Sequence, residues 1–450
     1  MIASSGSETK NLLSINPTNA LSATKEDVSA EIGAESGDHE VPIGEKQHWV
    51  FSSFMTVGYI LGTGVLVLPS SMAALGFLLG TAVCVFFALL STYIAILLGR
   101  LKNDHYPECL SYKELAKMSV GKKFENALEF LTCINWFMTM ALYILTAVES
   151  FTAAFNSNLC GYDWGLICVV VLLPSTLITD MKGMENMAAM SDLAAIVIVA
   201  VVLALLASQG GNSPSEHKHN FFPPKESFLD AFNPISSFIF AYQGQSIFLE
   251  VISEMRYPRE WNKSVYLSHS LMFISYSITA IVGYYYMGND VPAFLPKGLK
   301  KGIWKTLVNL LVAYHVLVAY IINNIPLVAM LKRRYFEGSR TPRSKHVMIS
   351  ALLLFLAWLM TNIVPFFKDM VSVIGALCGS PIMLGLPPLF YFCALKSKGI
   401  PMGRFDLVVC SLLFFVLFPL TFVSGMISAF RSILGNWERN GLPFSCSIQV

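Results

Sequence analysis

Two short runs of small and polar residues interrupt otherwise apolar sequence and are candidates for chemistry. Gly62, Thr63 and Gly64 lie inside the apolar run from Trp49 to Pro69, and Gly is the poorest helix former after Pro. A helix broken there exposes N–H and C=O groups, which at membrane depth are tolerated only beside protein or a wet cavity. The break therefore predicts a binding site built from main-chain groups. The alternative is that the glycines only allow another helix to pack closely.

The second run is Gln243-Gly244-Gln245, in the middle of the apolar stretch 231–252. A half-helix that begins at a break presents N–H groups to an anion, and one that ends there presents carbonyls to a cation. Two such breaks can therefore hold charged groups of a small ligand. The glutamine amides either hydrogen-bond to that ligand or cap the broken backbone, and the sequence leaves both interpretations open.

Five further polar residues lie within apolar runs. Asn135 and Tyr143 are eight residues apart and share a helical face, so they are candidates for ligand binding or for packing between helices. His315 and Glu250 are candidates for ion coupling or gating, because ionisable groups at membrane depth are functional by default. Asn323 is a further candidate, because it follows His315 by eight residues on the same helical face. A neutral histidine bonded to a carbonyl, and a solvated interfacial acid, are the competing interpretations.

The composition is that of a polytopic membrane protein. Of 450 residues, 54% are hydrophobic and 13% are charged, against about 25% charged in soluble domains. A net charge of +2 without a basic run gives no indication of a nucleic-acid partner. The nine Cys show no metal-ligand spacing and are interpreted as small buried hydrophobes, so no metal is expected. No intramembrane catalytic motif is present, and no enzyme activity or catalytic residue is predicted.

Hydropathy predicts eleven membrane-spanning helices, numbered here as spans 1 to 11. They cover residues 49–69, 77–98, 124–151, 164–179, 187–207, 231–252, 265–287, 304–331, 347–364, 370–395 and 407–430. The connections that alternate from an inside N-terminus hold 22 of the 31 Lys and Arg, which predicts that they are cytoplasmic. The expected organisation is a disordered cytosolic tail (1–47), a transmembrane domain (48–431) and a short extracytoplasmic tail (432–450).

Spans 1 and 6 are expected to enter the membrane from opposite sides, because five spans precede Ala231. Two five-helix units of opposite orientation, each with an interrupted first helix, form a 5+5 inverted repeat. The predicted fold class is therefore an all-α polytopic membrane protein with broken helices 1 and 6.

A possible sorting signal lies in the N-terminal tail. Glu8, Leu12 and Leu13 match the acidic dileucine pattern that sorting adaptors bind. The signal favours a vacuolar or endosomal membrane, and the plasma membrane is the alternative. A sorting adaptor and membrane lipids are thus expected partners.

Five motifs resemble those of one known family. They are Gly62–Pro69, Ser111–Ala116, Gly244–Ser246 with Glu250, Gly283–Gly288 (with Met287 where an aromatic is usual), and Ile374–Ser380. In order and position they are similar to the amino acid/auxin permease family. This resemblance implies a fold like that of the bacterial leucine transporter and secondary active transport of amino acids or related small organic solutes. It also implies an ion gradient as the driving force, usually of protons.

The coupling ion is expected to be a proton. Sodium-coupled members of the fold commonly use hydroxyl oxygens on helix 8, and Leu307 to Leu331 contains no Ser or Thr. No cofactor is expected besides the transported H+. Sodium coupling is one alternative, and an amino acid sensor that signals through the N-terminal tail is another.

Overall fold

A computed structural model describes residues 46–155, 159–179, 184–209, 218–223, 228–336, 343–440, 443–444 and 446. The chain divides into two units, Met1–Lys46 and Gln47–Val450, and all elements below belong to the second. The dileucine pattern of the N-terminal tail lies outside the described residues.

Helices make up nearly all of the described chain. They are α1 (Trp49–Ile60), α2 (Leu68–Leu75), α3 (Phe77–Arg100), α4 (Tyr112–Ser119), α5 (Lys122–Phe155), α6 (Gly161–Leu172), α7 (Glu185–Gln209), α8 (Phe232–Ala241), α9 (Phe248–Glu254), α10 (Trp261–Met287), α11 (Ile303–Tyr335), α12 (Arg343–Ile363), α13 (Phe367–Ile374), α14 (Leu386–Lys398), α15 (Arg404–Leu412) and α16 (Phe418–Asn440). Short 3₁₀ segments join α1 to α2 (Thr63–Val67) and α8 to α9 (Gln245–Ile247), and extend α6 (Leu173–Leu177). π-Helical segments extend α3 (Leu101–His105) and connect α13 to α14 (Gly375–Gly385) and α15 to α16 (Leu413–Leu417).

The number of membrane crossings depends on how bent and short helices are counted. In the described residues nine helices are long and apolar enough to cross a membrane, and the bent pair formed by α1 and α2, at 52°, makes ten. A shorter apolar helix, Gly161–Leu177, occupies the place of predicted span 4. The all-helical, multi-pass architecture is confirmed, whereas the predicted number of eleven is not.

Spans 1 and 6 are both interrupted where the sequence predicted. In span 1, Gly62 has φ −123° and ψ −142°, far from helical values, so α1 stops and a tight 3₁₀ turn restarts the chain. In span 6, Gly244 has φ −166° and ψ 3° between α8 and α9. Neither φ lies in the left-handed region, so these glycines are needed for space and helix breaking rather than for a forbidden backbone angle.

The two broken spans run in opposite directions. The Gln47 N–H donates to the Glu254 carbonyl over 2.9 Å, and the Arg256 N–H donates to the Gln47 carbonyl over 2.8 Å. These bonds place the start of α1 beside the end of α9.

The halves of the broken spans touch where side chains are smallest. A Cβ on Gly64 would lie 3.0 Å from Ala241 Cα. A Cβ on Gly375 would overlap the Ser236 carbonyl oxygen, so the π-helical segment after α13 packs directly on α8. Only glycine allows backbones to approach this closely, as is common between membrane helices.

A buried carboxylate joins α8, α13 and α16 at the other end of the bundle. Asp369 is 2% exposed. It accepts hydrogen bonds from Asn436 Nδ2 (2.6 Å), Ser432 Oγ (2.7 Å) and Asn233 Nδ2 (3.2 Å). Hydrogen bonds to an ionised acceptor are among the stronger ones in proteins, so this cluster fixes three helices relative to one another.

Two cysteines form a disulfide. Cys160, just before α6, is bonded to Cys446, after α16, across a separation of 286 residues. The prediction that the cysteines are small buried hydrophobes is wrong for this pair, because a bond between such distant residues leaves no pattern in local spacing. The bond places both segments on one face of the protein.

Candidate functional site

A cavity of about 490 Å³ lies beside the break in span 1. Its wall is formed by α1 and the break itself, α5, α7, α8 with the first residues after it, and α11. Its volume is within the range of small-molecule sites, about 300–1,000 Å³. The described wall is mostly apolar, with a small number of polar groups that can orient a ligand.

Eight of the predicted site residues line this cavity. They are Gly62, Thr63, Gly64, Asn135, Tyr143, Gln243, His315 and Asn323. Three others do not. Gly244 and Gln245 lie behind the cavity wall, and Glu250 lies in an adjoining vestibule.

Gly62 and Gly64 have different surroundings. A Cβ on Gly62 would meet no atom within 4 Å, so this position faces open space in the cavity. Gly64 faces α8 instead, with Phe240 Cδ1 3.3 Å and Ala241 Cα 3.0 Å from an ideal Cβ. Gly62 therefore fits the binding-site interpretation, and Gly64 fits that of close helix packing.

Gln243 and Gln245 also differ. The Gln243 amide nitrogen donates to Asn135 Oδ1 over 2.9 Å, which joins span 6 to α5 at the cavity wall. Gln245 is fully buried, and its Oε1 accepts from the Gly244 N–H over 3.0 Å. Its amide nitrogen points to Ser91 Oγ, 3.4 Å away. Gln245 thus caps the broken backbone and leaves Gln243 as the glutamine that a ligand can reach.

One tyrosine holds both breaks together. Tyr276, on α10, is fully buried. Its hydroxyl is placed to donate to the Ala241 carbonyl oxygen at 2.8 Å and the Ile60 carbonyl oxygen at 3.1 Å. Carbonyls that end a helix have no intrahelical partner, so this shared hydroxyl stabilises the ends of α1 and α8.

His315 and Asn323 face the cavity from α11. His315 Nδ1 lies 2.9 Å from the Ser191 carbonyl oxygen, an arrangement in which the ring donates to the backbone of α7. The Asn323 amide donates to the Ala319 carbonyl one turn earlier, over 2.9 Å. Both residues lie at the predicted site, and His315 also makes the carbonyl contact of the competing interpretation.

A second cavity, called the vestibule here, adjoins the central one. That vestibule, of about 690 Å³, shares Trp136, Ile247 and Pro326 with the cavity and contains Glu250. A third cavity of about 710 Å³, beside the Asp369 cluster, shares no described lining residue with the central one. The central cavity thus adjoins the vestibule and is separate from the cavity beside Asp369.

Sequence reasoning missed several cavity residues. Thr139 lies four residues from both Asn135 and Tyr143, so the three form one polar stripe on α5; the same spacing could have identified it. Asp192 was not missed, because its position near the end of span 5 makes it a candidate for a gate or for a solvated interfacial acid; in the structure it lines the cavity from α7 beside Gly58. In the described residues, no group of three or more His, Cys, Asp or Glu could hold a metal ion.

Comparison with known proteins identifies the family. The family model described as "Transmembrane amino acid transporter protein" matches residues 45–431. The chain belongs to this transmembrane amino acid transporter family. The match covers every described helix from α1 to α15 and the break in each interrupted span, and it confirms the resemblance drawn from the five motifs.

Individual relatives share little sequence identity with this transmembrane amino acid transporter, but the similarity extends over most of both chains. The N amino acid transport system protein of Neurospora crassa is 22% identical over 418 residues, which cover 89% of this chain and 88% of the relative. Amino acid transporter AVT1J of Arabidopsis thaliana is 19% identical, covering 77% of this chain and 82% of the relative. Both are named as amino acid transport proteins, so membership of this family confirms that the chain is not an enzyme.

A solved structure shows the same fold. The crystal structure of MhsT in complex with L-phenylalanine matches with a TM-score of 0.55 and 13% identity, covering 86% of this chain and 100% of that chain. At this identity the likeness is one of fold alone. The protein is therefore a multi-pass integral membrane protein of the transmembrane amino acid transporter family.

Proposed function

We propose that this protein is a secondary active transporter that moves amino acids or related small organic solutes across a membrane by alternating access, coupled to protons. The observation that carries the proposal is the cavity of about 490 Å³ beside two interrupted helices of opposite direction. Family membership supports an amino acid as substrate.

The cavity offers separate groups for the two charges of an amino acid. The carboxylate is placed at the N–H groups that open the 3₁₀ turn after Gly62, where a helix N-terminus favours negative charge. The ammonium is placed at the carbonyls that end α1. The Asn135–Gln243 pair and Thr139 contact the remainder of the solute from the opposite wall.

Alternating access requires a state open to each side in turn. In this structure the central cavity adjoins the vestibule that contains Lys113, Arg333 and Arg334, and the Lys- and Arg-rich face is expected to be cytoplasmic. This arrangement supports an inward-facing state as one member of the proposed cycle.

The proposed architecture has eleven crossings arranged as a 5+5 inverted repeat. The inversion is supported by two contacts: the start of α1 lies beside the end of α9, and the end of α1, at Ile60, lies against Gly244, which precedes α9. The apolar helix Gly161–Leu177 supplies the additional crossing.

Proton rather than sodium coupling rests on the composition of α11. Leu307 to Leu331 has no Ser or Thr hydroxyl to bind sodium, a hard cation that prefers oxygen ligands. The carbonyl oxygens of Asn323 and Asn324 keep sodium as the alternative, because only the amide nitrogens of these side chains are engaged, with Ala319 and Ser350.

Uptake by purified protein in proteoliposomes tests this function. Each common amino acid is offered in radiolabelled form under an imposed proton gradient or an imposed sodium gradient. Accumulation driven by the proton gradient, and abolished by a proton ionophore, is the expected result. Strict sodium dependence would refute proton coupling. Binding without any flux would select the sensor alternative.

The membrane in which the protein works is tested in cells. Replacing Leu12 and Leu13 by Ala is expected to move the protein from vacuolar or endosomal membranes to the plasma membrane, as seen by fluorescence microscopy. An unchanged location would show that Leu12 and Leu13 do not act as a sorting signal, and a sorting adaptor would no longer be an expected partner.

A further inference from the structure

The central cavity holds one acidic side chain that nothing neutralises. Asp192 lines the cavity from α7. Among the described residues it forms no ion pair and no hydrogen bond. No Lys or Arg belongs to the described cavity wall. When Asp192 is ionised, the wall of the cavity therefore carries a single uncompensated negative charge.

Asp192 contacts the half-helix that ends at the break. Its Oδ2 lies 3.1 Å from where a Cβ on Gly58 would be. Gly58 is four residues, about one helical turn, before Gly62. The carboxyl group therefore packs on the backbone of α1, the element that binds solute in the proposed function.

Closure of the cavity makes the ionised form of Asp192 energetically unfavourable. While the cavity is open to the vestibule, water solvates the carboxylate. When both faces are closed around a solute, an unpaired carboxylate loses that water and gains no partner, which is strongly unfavourable. A zwitterionic amino acid has no net charge, so its binding does not compensate the negative charge of Asp192. One proton on the carboxylate removes it.

We propose that Asp192 is the group that binds the transported proton. The carboxylate takes a proton from water on one side of the membrane, crosses the closed state as a neutral carboxylic acid beside the bound solute, and returns the proton to water on the other side. This inference rests on the proposed function and names the residue that performs its coupling step.

Other titratable groups near Asp192 are less suited to this role. Tyr59 on α1 and Tyr143 on α5 line the same cavity but are neutral phenols. His315 on α11 has its Nδ1 directed to the Ser191 carbonyl. The helix α10 also packs on α7, yet none of its titratable side chains lines the cavity. Asp192 is thus the acidic group of the described wall whose charge must be removed.

The test compares coupling with exchange in proteoliposomes. The probes are radiolabelled alanine, leucine, glutamine and phenylalanine, with a pH-sensitive dye inside the vesicles. With one proton per solute, a gradient of one pH unit supports up to about tenfold accumulation by the parent protein. Asp192→Asn is expected to exchange internal for external solute while its accumulation ratio falls to one and solute-linked acidification disappears. Asp192→Glu is expected to recover part of the accumulation.

Each other outcome has a distinct meaning. An Asp192→Asn variant that still accumulates solute in response to the pH gradient overturns the proposal. Loss of proton-driven accumulation in His315→Gln, with proton-driven accumulation retained in Asp192→Asn, would also overturn the proposal. Loss of exchange in both Asp192 variants, each monodisperse on gel filtration, would assign the carboxylate to solute binding instead. A parent protein that neither exchanges nor accumulates any probe refutes the proposed function itself.

Discussion

Alanine substitutions at Gly62 and Gly64 should separate ligand binding from helix packing. At Gly62 an added methyl group meets no atom within 4 Å, and its φ of −123° is not a left-handed value. The variant should fold as the parent does. Its methyl group occupies space at the break, and alanine favours a continuous helix by about 1 kcal/mol, equivalent to roughly fivefold in affinity.

Gly64→Ala is the matched variant with the opposite expected profile. Its Cβ would lie 3.0 Å from Ala241 Cα and 3.3 Å from Phe240 Cδ1, against about 3.5–4.0 Å for comfortable carbon contacts. Overpacking of this kind destabilises by about 1–3 kcal/mol. The melting temperature should fall for Gly64→Ala and stay at the parent value for Gly62→Ala.

Two measurements on the same purified samples decide between these effects. Thermal unfolding in detergent reports stability, and the concentration dependence of solute exchange in proteoliposomes reports affinity. For Gly62→Ala we expect a half-saturating concentration raised about fivefold or more without a change in melting temperature. Parent-like exchange by Gly62→Ala and Gly62→Leu would refute the assignment of the solute to this break.

Three further substitutions test other contacts. Tyr276→Phe removes the hydroxyl placed at the carbonyls that end α1 and α8, and should lower stability by about 1–2 kcal/mol; an unchanged melting temperature would contradict this bridge. Cys160→Ser frees Cys446 for alkylation and should cost about 2–4 kcal/mol, with exchange retained; equal alkylation of parent and variant would show that the bond does not form. Asp369→Ala leaves three donors without their acceptor and should destabilise by about 3 kcal/mol, which the yield of monodisperse protein and thermal unfolding would report.

The sequence was informative where local chemistry decides the structure. Glycines flanking Thr63 in an apolar run are poor helix formers, and the chain breaks there. The helical spacing of Asn135 and Tyr143 places both on the face of α5 that lines the cavity. These features follow from backbone propensity and helical periodicity, which are properties of neighbouring residues.

Features that depend on packing between distant segments could not be predicted. Gln243 and Gln245 are chemically identical, and only the way α8 meets α3 and α5 turns one toward the cavity and the other toward Ser91. The role of Tyr276 depends on carbonyl acceptors, which every residue has, so no side-chain pattern marks it. Asp192 is recognisable in the sequence as an acid in an apolar run, but only its contact with Gly58 places it at the cavity.

The disulfide between Cys160 and Cys446 has a topological consequence. Bonded cysteines face the same compartment, so the chain between them crosses the membrane an even number of times. Seven long apolar helices of the described chain lie in that interval, from α7 through α16. Seven crossings would place the two thiols on opposite sides. Parity therefore supports the short helix Gly161–Leu177 as a full crossing, and places the shared face in an oxidising compartment such as a lumen or the cell exterior.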